Sequence, residues 1–394
     1  MTKFKHSTIG KSIALMLALI LLAGSFTACG KKEEEITTTE STTQATTVPT
    51  TASPYLTGEY NPLTGELGYD TSLLKNRTVL VSVENSPQAR PQWGIASADI
   101  VWEMVVEGGI SRMLLMYADA SRLPDKIGPT RSARHYFVEL AEGFDSIFIH
   151  YGGSPQAYSA IKKQGTDDVD GMTYGDKLFP RDKTRNVSSE HRAYTTKDNV
   201  IKGITDKGIR TEVEEGKEKP FRFSPTPATL PDGTCTAVKV PFSNSFTYNY
   251  TYDEATRLYM SALGDKPFMD DNGTQQSFTN IIICYVDVTP IPNDNKGRVT
   301  FDLSDGEGVF ISNGTYQNIT WEKGGYTDIM KFYVDDGTAT EEETEKTTAE
   351  KTTAESTTET TSATTTNKTE IAFNVGRTYI ALVPSSNQSK TEIK

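Results

Sequence analysis

Arginines concentrate in one stretch of an otherwise acidic chain. Nine of the 14 arginines fall between Arg77 and Arg192, although the formal net charge is −12 at pH 7. Planar guanidinium groups suit bidentate recognition of carboxylate and phosphate. The local excess of arginine therefore favours recognition of an anion, while the overall charge excludes general affinity for nucleic acid.

One cluster of basic residues precedes an apolar helical stripe. The stretch 131–142, after Gly128-Pro129-Thr130, predicts a helix that Gly143 closes and that carries Arg131, Arg134 and His135 in its first turns. Cations oppose the helix dipole there, and free amide groups attract anions. An anionic ligand is expected at this place, with an internal ion-pair network to Glu84, Glu103 and Glu107 as the alternative.

A β-hairpin is expected to position the acidic candidates. Two apolar strands, 99–106 and 110–117, flank a predicted two-residue turn at Gly108-Gly109. This register places Arg112 opposite Val105 and diagonal to Glu103 and Glu107, away from the face of Trp102 and Met113. The alternative is an exposed sheet face whose salt bridges contribute little stability.

Further candidates follow in strand ends and loops. His150 ends a predicted buried strand, where open α/β sheets bind ligands, although a core histidine fits equally well. Gly152-Gly153 then precede a helix with Ser154 as N-cap and Pro155 at its first position. Three more residues lie in a loop after Pro180. The candidate ligand-binding set is Arg90, Glu103, Glu107, Arg112, Arg131, Arg134, His150, Arg181, Arg185 and His191.

Known catalytic and metal patterns are missing from the sequence. It has no Gly-x-Ser-x-Gly elbow, no His-Glu-x-x-His helix and no Cys/His zinc spacing. We therefore assign no catalytic residue, metal or cofactor. Binding of an anionic ligand or cell-envelope component is the leading hypothesis. The alternatives are an envelope hydrolase or transferase with Glu103, Glu107, His150 or His191 as proton carriers, and an accessory factor that binds an envelope protein through exposed β edges.

The N-terminus has the layout of a secretory signal. Basic residues precede a short apolar run, Ile13 to Leu22, and small residues precede Cys29. This segment resembles the lipobox of bacterial lipoproteins. Residues 1–28 are therefore expected to be a signal peptide and Cys29 the lipid attachment site. The lipid would be the membrane contact and would hold the protein on the extracytoplasmic face of the cell membrane.

The remaining chain predicts an α+β protein. We expect a Thr/Glu-rich spacer at 29–54, an α/β domain with a mixed sheet at 55–208, a linker at 209–236 and a β-rich domain at 237–394. A low-complexity insertion at 338–370 is expected to join strands at 329–334 and 371–375 as a swollen hairpin loop. Cys235 and Cys284 are expected to be buried thiols, with a disulfide as the alternative.

Several linked motifs resemble the YerB-type bacterial lipoproteins, a family of unknown function with separate N- and C-terminal parts. The resemblance spans 60–384 outside the insertion and implies no reaction. It implies that seven candidates lie on family motif positions, whereas His191 departs from the family's Pro-His-Asn pattern. The motifs are Asn61-Pro-Leu-Thr-Gly-Glu66, Asn85-Ser-Pro-Gln-Ala-Arg-Pro-Gln92, Ala98-Asp-Ile-Val-Trp-Glu103, Val106-Glu-Gly-Gly-Ile-Ser-Arg112, Ile127-Gly-Pro-Thr-Arg-Ser-Ala-Arg134 and His150-Tyr-Gly-Gly-Ser-Pro-Gln-Ala157. The seven residues are Arg90, Glu103, Glu107, Arg112, Arg131, Arg134 and His150.

Overall fold

A computed structural model describes residues 53–215, 220–345 and 360–394. The predicted signal peptide, Cys29 and nearly all of the predicted spacer lie outside these ranges. No helix within them is long and apolar enough to cross a bilayer.

The described residues form a mixed α+β structure, as predicted. The α-helices are α1 (His135–Gly143), α2 (Pro155–Gln164), α3 (Gly171–Tyr174) and α4 (Lys197–Lys207). The 3-10 helices are Thr71–Leu73, Pro87–Ala89, Ile95–Ser97, Glu107–Gly109, Ala120–Arg122, Gly175–Lys177, Ser189–His191 and Ser385–Lys390. The strands are β1 (Val79–Glu84), β2 (Ile100–Val105), β3 (Ser111–Tyr117), β4 (Ile147–His150), β5 (Asp168–Asp170), β6 (Arg222–Phe223), β7 (Gly233–Thr234), β8 (Ala237–Ser243), β9 (Phe246–Asp253), β10 (Leu258–Leu263), β11 (Lys266–Pro267), β12 (Ser277–Phe278), β13 (Asn280–Val286), β14 (Val288–Pro290), β15 (Val299–Phe301), β16 (Asp305–Ser312), β17 (Thr315–Glu322), β18 (Lys331–Glu345), β19 (Thr360–Glu370), β20 (Ala372–Phe373), β21 (Thr378–Pro384) and β22 (Glu392–Ile393).

One 12-stranded mixed sheet runs through both predicted domains. Its order is β19-β18-β17-β16-β13-β21-β2-β3-β1-β4-β5, and β7 pairs with β17. The C-terminal strand β21 lies between β2 and β13 and is parallel to both. Strands from the two predicted domains thus share one ladder of hydrogen bonds. The domain boundaries at 208 and 237 stay predictions about the organisation of the sequence.

A second sheet of six strands packs against the first through aromatic side chains. Its order is β11-β10-β9-β8-β22, with β12 paired to β10. Tyr250 on β9 lies 5.1 Å from Tyr379 on β21, measured between ring centroids. Both rings are almost fully buried. This contact holds the six-stranded sheet against β21 of the 12-stranded sheet.

The predicted hairpin is present, but its predicted register is wrong by one residue. β2 pairs with β3 so that Glu103 lies opposite Met113 and Met104 opposite Arg112. The turn contains three residues, 107–109, because the amide of Val106 donates to the carbonyl of Ile110 across it. One extra turn residue moves every side chain of the second strand to the other face. Both strands are also fully buried, so the alternative of an exposed charged face is wrong.

The two arginines of the basic cluster precede the helix, and only His135 lies within it. α1 begins at His135, and Arg134 is its N-cap residue, while the predicted end at Gly143 is confirmed. Residues before Arg134 form extended backbone contacts: the amide of Arg131 donates to Ser82 at 2.9 Å and that of Ala133 to Gly152 at 2.8 Å. These bonds to neighbouring segments replace the first helical turn. Arg131 is therefore not part of α1.

The Thr-rich insertion is flanked by paired strands, but one predicted partner is wrong. β18 and β19 pair antiparallel and extend into the predicted insertion. Of the predicted strand 371–375, Ile371 continues this hairpin through its amide bond to the Phe332 carbonyl at 3.0 Å, whereas Ala372 and Phe373 pair with β6 instead. The expectation of buried thiols is confirmed, since Cys235 and Cys284 are both free and buried.

Candidate functional site

The ten predicted binding residues do not form one cleft. The structure separates them into a surface cluster around Arg112, a buried carboxyl network around Glu103, a buried histidine site at His150 and two isolated arginines. Each group has its own hydrogen-bond partners. The chemistry available in each group differs accordingly.

Arg112 and Arg134 converge on the backbone at Ser132. Nη1 of Arg112 donates to the Ser132 carbonyl at 2.8 Å, and Nη1 of Arg134 approaches the same oxygen at 3.4 Å. Arg134 also binds both carboxylate oxygens of Glu107 at 2.7 Å. One carbonyl before α1, that of Ser132, thus contacts both guanidinium groups. We name Arg112, Arg131 and Arg134 the arginine cluster.

Arg112 is buried without a carboxylate in direct contact, although the charge of Glu107 acts on it from farther away. Its exposed fraction is 4%, its Nε has no hydrogen-bond partner, and no carboxylate of the described residues lies within 4.0 Å of it. Burial, followed by repulsion from Arg134, lowers the pKa of Arg112 to about 9. Burial alone would raise the pKa of Glu107, but the hydrogen bonds and charge of Arg134 outweigh it and lower the pKa. The cluster therefore holds one guanidinium that its neighbours do not neutralise.

Arg131 extends the cluster toward a second pair of acidic residues. Its Nη2 lies 3.0 Å from Glu190, and its Nε lies 3.5 Å from Glu84. The other oxygen of Glu84 faces Nδ1 of His191 at 2.9 Å. Glu84, one of the internal partners expected for the basic cluster, thus pairs with Arg131, and its contact with His191 was not predicted. Arg131 stays partly accessible, with 26% of its side chain exposed.

Glu103 lies in a separate, fully buried network. Its oxygens accept hydrogen bonds from Asn85 and Tyr379, each at 2.8 Å, and from Ser111. Arg90 reaches the same network through the Asn85 side-chain oxygen at 3.1 Å. Burial raises the pKa of Glu103 to about 7, although its hydrogen-bond donors oppose this change. Glu103 and Arg90 therefore hold the hairpin to the C-terminal strands and do not face the arginine cluster.

His150 is buried at the end of β4, at the predicted position. Its Nε2 lies 3.0 Å from Asp168 on β5, and its Nδ1 lies 2.8 Å from the Gly152 carbonyl. Burial would raise the pKa of Asp168, but hydrogen bonds from His150 and Lys207 lower it. The predicted N-cap at Ser154 is confirmed by its bond to the amide of Ala157. Because His150 has no exposed surface, it is a core histidine with both ring nitrogens in contact with oxygens.

The two loop arginines bind protein groups outside the cluster. Arg181 contacts Asp176 at 2.8 Å and the Tyr151 hydroxyl at 3.0 Å. Arg185 lies 3.5 Å above the ring of Trp93 and donates to the Ala89 carbonyl at 3.0 Å. Cation–π contacts of this kind anchor a loop to a buried ring. Both arginines therefore have local structural partners.

Comparison with known proteins identifies the family. Residues 63–210 match the family model described as the N-terminal domain of a protein of unknown function (DUF3048), and residues 238–348 match its C-terminal domain. The chain is 33% identical over 267 residues to YerB of Bacillus subtilis (strain 168), a protein named as a lipoprotein. This match covers 66% of the chain and 77% of the relative. The chain belongs to the DUF3048 family.

A solved structure of the family has a similar fold. The crystal structure of YerB protein from Bacillus subtilis matches with a TM-score of 0.66 at 27% identity, covering 86% of this chain and all of that one. The resemblance predicted from the linked motifs is thus confirmed. The DUF3048 description supplies no reaction or ligand, so the arginine cluster has to be interpreted from its own contacts.

Sequence reasoning missed the polar partners that complete these sites. Asn85 begins one of the family motifs, but its central position among Glu103, Ser111 and Arg90 follows only from the fold. Tyr379 is 276 residues from Glu103 in sequence, and no local pattern links the two. The only sequence signal for this contact was that Tyr379 is the single tyrosine of the apolar strand β21.

Four surface cavities in the described part of the chain are lined by residues outside the arginine cluster. The case for a site at Arg112 therefore rests on charge and burial and not on a cavity.

Proposed function

We propose that this protein is a membrane-tethered lipoprotein on the extracytoplasmic face of the cell, and that its arginine cluster binds an anionic ligand or envelope component without catalysis. The anchor is supported by the lipobox resemblance at Cys29 and by similarity to a relative that is named as a lipoprotein. The binding function is argued from the cluster itself.

The single observation that carries the proposal is the unneutralised charge of Arg112. Burying one ion costs several kcal/mol unless a counter-charge and hydrogen bonds compensate for it. Arg112 has one hydrogen bond, to Ser132, and the repulsion from Arg134 acts on it more strongly than the attraction of Glu107. An anion that contacts Arg112, Arg131 and Arg134 would supply the missing counter-charge. Carboxylate and phosphate fit this role because both accept forked guanidinium contacts.

The accessibility of the proton carriers favours binding over catalysis. Glu103 and His150 have no exposed surface, so neither can touch a substrate in this conformation. Glu107 is held by Arg134 at both oxygens, and His191 faces Glu84. A hydrolase built from these four groups would need to break at least one of these pairs before the reaction.

A thermal-shift experiment tests the binding proposal. Inorganic phosphate and citrate should raise the unfolding temperature of the wild-type protein, since a ligand at 100 times its dissociation constant adds about 2.7 kcal/mol. Arg131→Ala and Arg112→Met should lose this shift. The matched control is Arg222→Ala, an exposed arginine paired with Glu370 at 3.3 Å, which should keep it.

Two outcomes would contradict the proposal. The first is a shift of equal size in Arg131→Ala, Arg112→Met and Arg222→Ala, which would mean that the anions act on the whole surface. The second is the lack of any shift for the wild-type protein with phosphate, citrate and anionic cell-wall fragments.

A further inference from the structure

A second candidate site lies in a cavity between α1, α2 and the loop after β17. The cavity has a volume of about 520 Å³, which is within the range of ligand pockets. One wall is a polar face of α2 with helical spacing, comprising Gln156, Ser159, Lys163 and Gln164. His135 and Tyr326 line the remainder.

Three of the lining residues carry buried polar atoms without a hydrogen-bond partner among the described residues. These atoms are Nδ1 of His135, Oε1 of Gln156 and the hydroxyl of Tyr326. Most buried polar groups in proteins are paired, and three of the 14 unpartnered atoms of the described residues belong to the lining of this one cavity. Because each of these atoms is buried, a ligand in the cavity would reach them only after the side chains change rotamer.

The wall around these atoms is held in place by other contacts. Nε2 of His135 lies 2.8 Å from the Thr300 hydroxyl. Lys323 donates to the carbonyl of Tyr326 at 2.7 Å and pairs with Glu139 at 3.4 Å, which fixes the loop that carries the tyrosine. The backbone that carries these side chains is therefore held in place on one helix, one helix start and one anchored loop.

The electrostatics of the wall indicate an uncharged ligand. Burial, and then the charge of Arg134, lowers the pKa of His135, and burial raises that of Tyr326, so both are neutral near neutral pH. Lys163 is the one charged residue of the lining. Gln156 and the hydroxyl of Tyr326 can each donate and accept hydrogen bonds. A hydroxyl group of a ligand can also do both and would therefore match them.

We propose that this cavity binds a neutral saccharide, whose ring hydroxyls pair with Gln156, His135 and Tyr326. The aromatic ring of Tyr326 provides the apolar surface that carbohydrate rings also need. The inference does not depend on anion binding at Arg112, because the cavity lining excludes the arginine cluster.

Binding of chitotriose and maltotriose to the purified protein tests the inference, measured by saturation-transfer NMR and titration calorimetry. At least one of the two sugars should bind, and Gln156→Ala and Tyr326→Phe should each weaken it about five-fold, the effect of one hydrogen bond. Tyr326→Phe removes only an unpartnered hydroxyl, so its stability should stay close to wild type.

A matched pair of lysines controls for general surface effects. Lys163 lines the cavity, whereas the adjacent exposed Lys162 does not. Lys163→Ala should weaken binding of the sugar, whereas Lys162→Ala should not. Arg112→Met should also leave the affinity for the sugar unchanged. No binding of either sugar, or losses below about two-fold in both Gln156→Ala and Tyr326→Phe, would overturn the inference.

Discussion

Replacing Arg112 with methionine should separate a ligand-binding arginine from a structural one. The matched comparison is Arg377, which is partly buried and has no carboxylate of the described residues within 4.0 Å. Arg377 donates to three backbone carbonyls, at Ala98 (2.7 Å), Ser277 (3.0 Å) and Ile95 (2.6 Å). Arg112 donates to one. The two substitutions remove the same charge and the same side-chain type.

The expected difference follows from the hydrogen bonds. Burial lowers the pKa of both guanidinium groups, so the relief of a desolvated charge occurs in both variants and partly cancels in the comparison, with the larger relief for Arg112. Arg377→Met leaves two more acceptors without their donor than Arg112→Met, at about 1–3 kcal/mol each, which gives a difference of about 2–6 kcal/mol in the free energy of unfolding. Arg112→Met alone should be neutral or stabilising, because it removes an unpaired buried charge.

Urea unfolding followed by circular dichroism measures both variants against wild type. The reasoning is refuted if Arg112→Met is as destabilised as Arg377→Met, because Arg112 would then be part of the structural framework. An Arg112→Met variant that is as stable as wild type, but whose unfolding temperature no longer rises with phosphate, would assign the residue to ligand binding.

Three further predictions concern the carboxyl network and the anchor. Burial raises the pKa of Glu103 from 4.5 to about 7, so the folded state binds more protons than the unfolded state between these values. The free energy of unfolding should therefore fall by up to about 3 kcal/mol as pH rises through this window. Urea unfolding midpoints at about pH 5 and about pH 8 measure this fall, and Glu103→Gln should remove most of it. Tyr379→Phe should cost about 1–2 kcal/mol, because Tyr379 is the donor to one oxygen of Glu103. Tyr248→Phe should cost less than about 1 kcal/mol, because the Asn85 amide that donates to it has two other acceptors; equal losses by urea unfolding would contradict this ranking. Cys29→Ser should release the protein from the membrane fraction, as followed by immunoblotting, and unchanged membrane association would exclude a lipid on Cys29.

Local signals predicted the elements well. The hairpin, the buried strand that ends at His150, the cap at Ser154 and the helix end at Gly143 all lie where residue patterns placed them. Each of these features depends on side chains within a few residues of one another, because apolar periodicity and capping are short-range effects.

The composition of the site was only partly predictable. Arg131 and Arg134 were expected on one helix turn, yet backbone bonds to Ser82 and Gly152 keep this segment extended. The predicted hairpin register failed because the turn holds three residues, and the glycine pair alone does not specify that number. A one-residue change in the turn transferred Arg112 to the face opposite Glu103.

The amino-acid sequence by itself determined the hairpin strands, the strand that ends at His150, the helix that begins after Ser154, the family and the expected anchor at Cys29. Tertiary structure alone decided which charges are neutralised. Glu103 meets Tyr379 because β21 inserts beside β2, and Arg112 lies unpaired because the nearest carboxylates are held by Arg131, His191 and Arg134. Such pairings depend on contacts between distant segments and on the exclusion of water, and neither is encoded in local spacing.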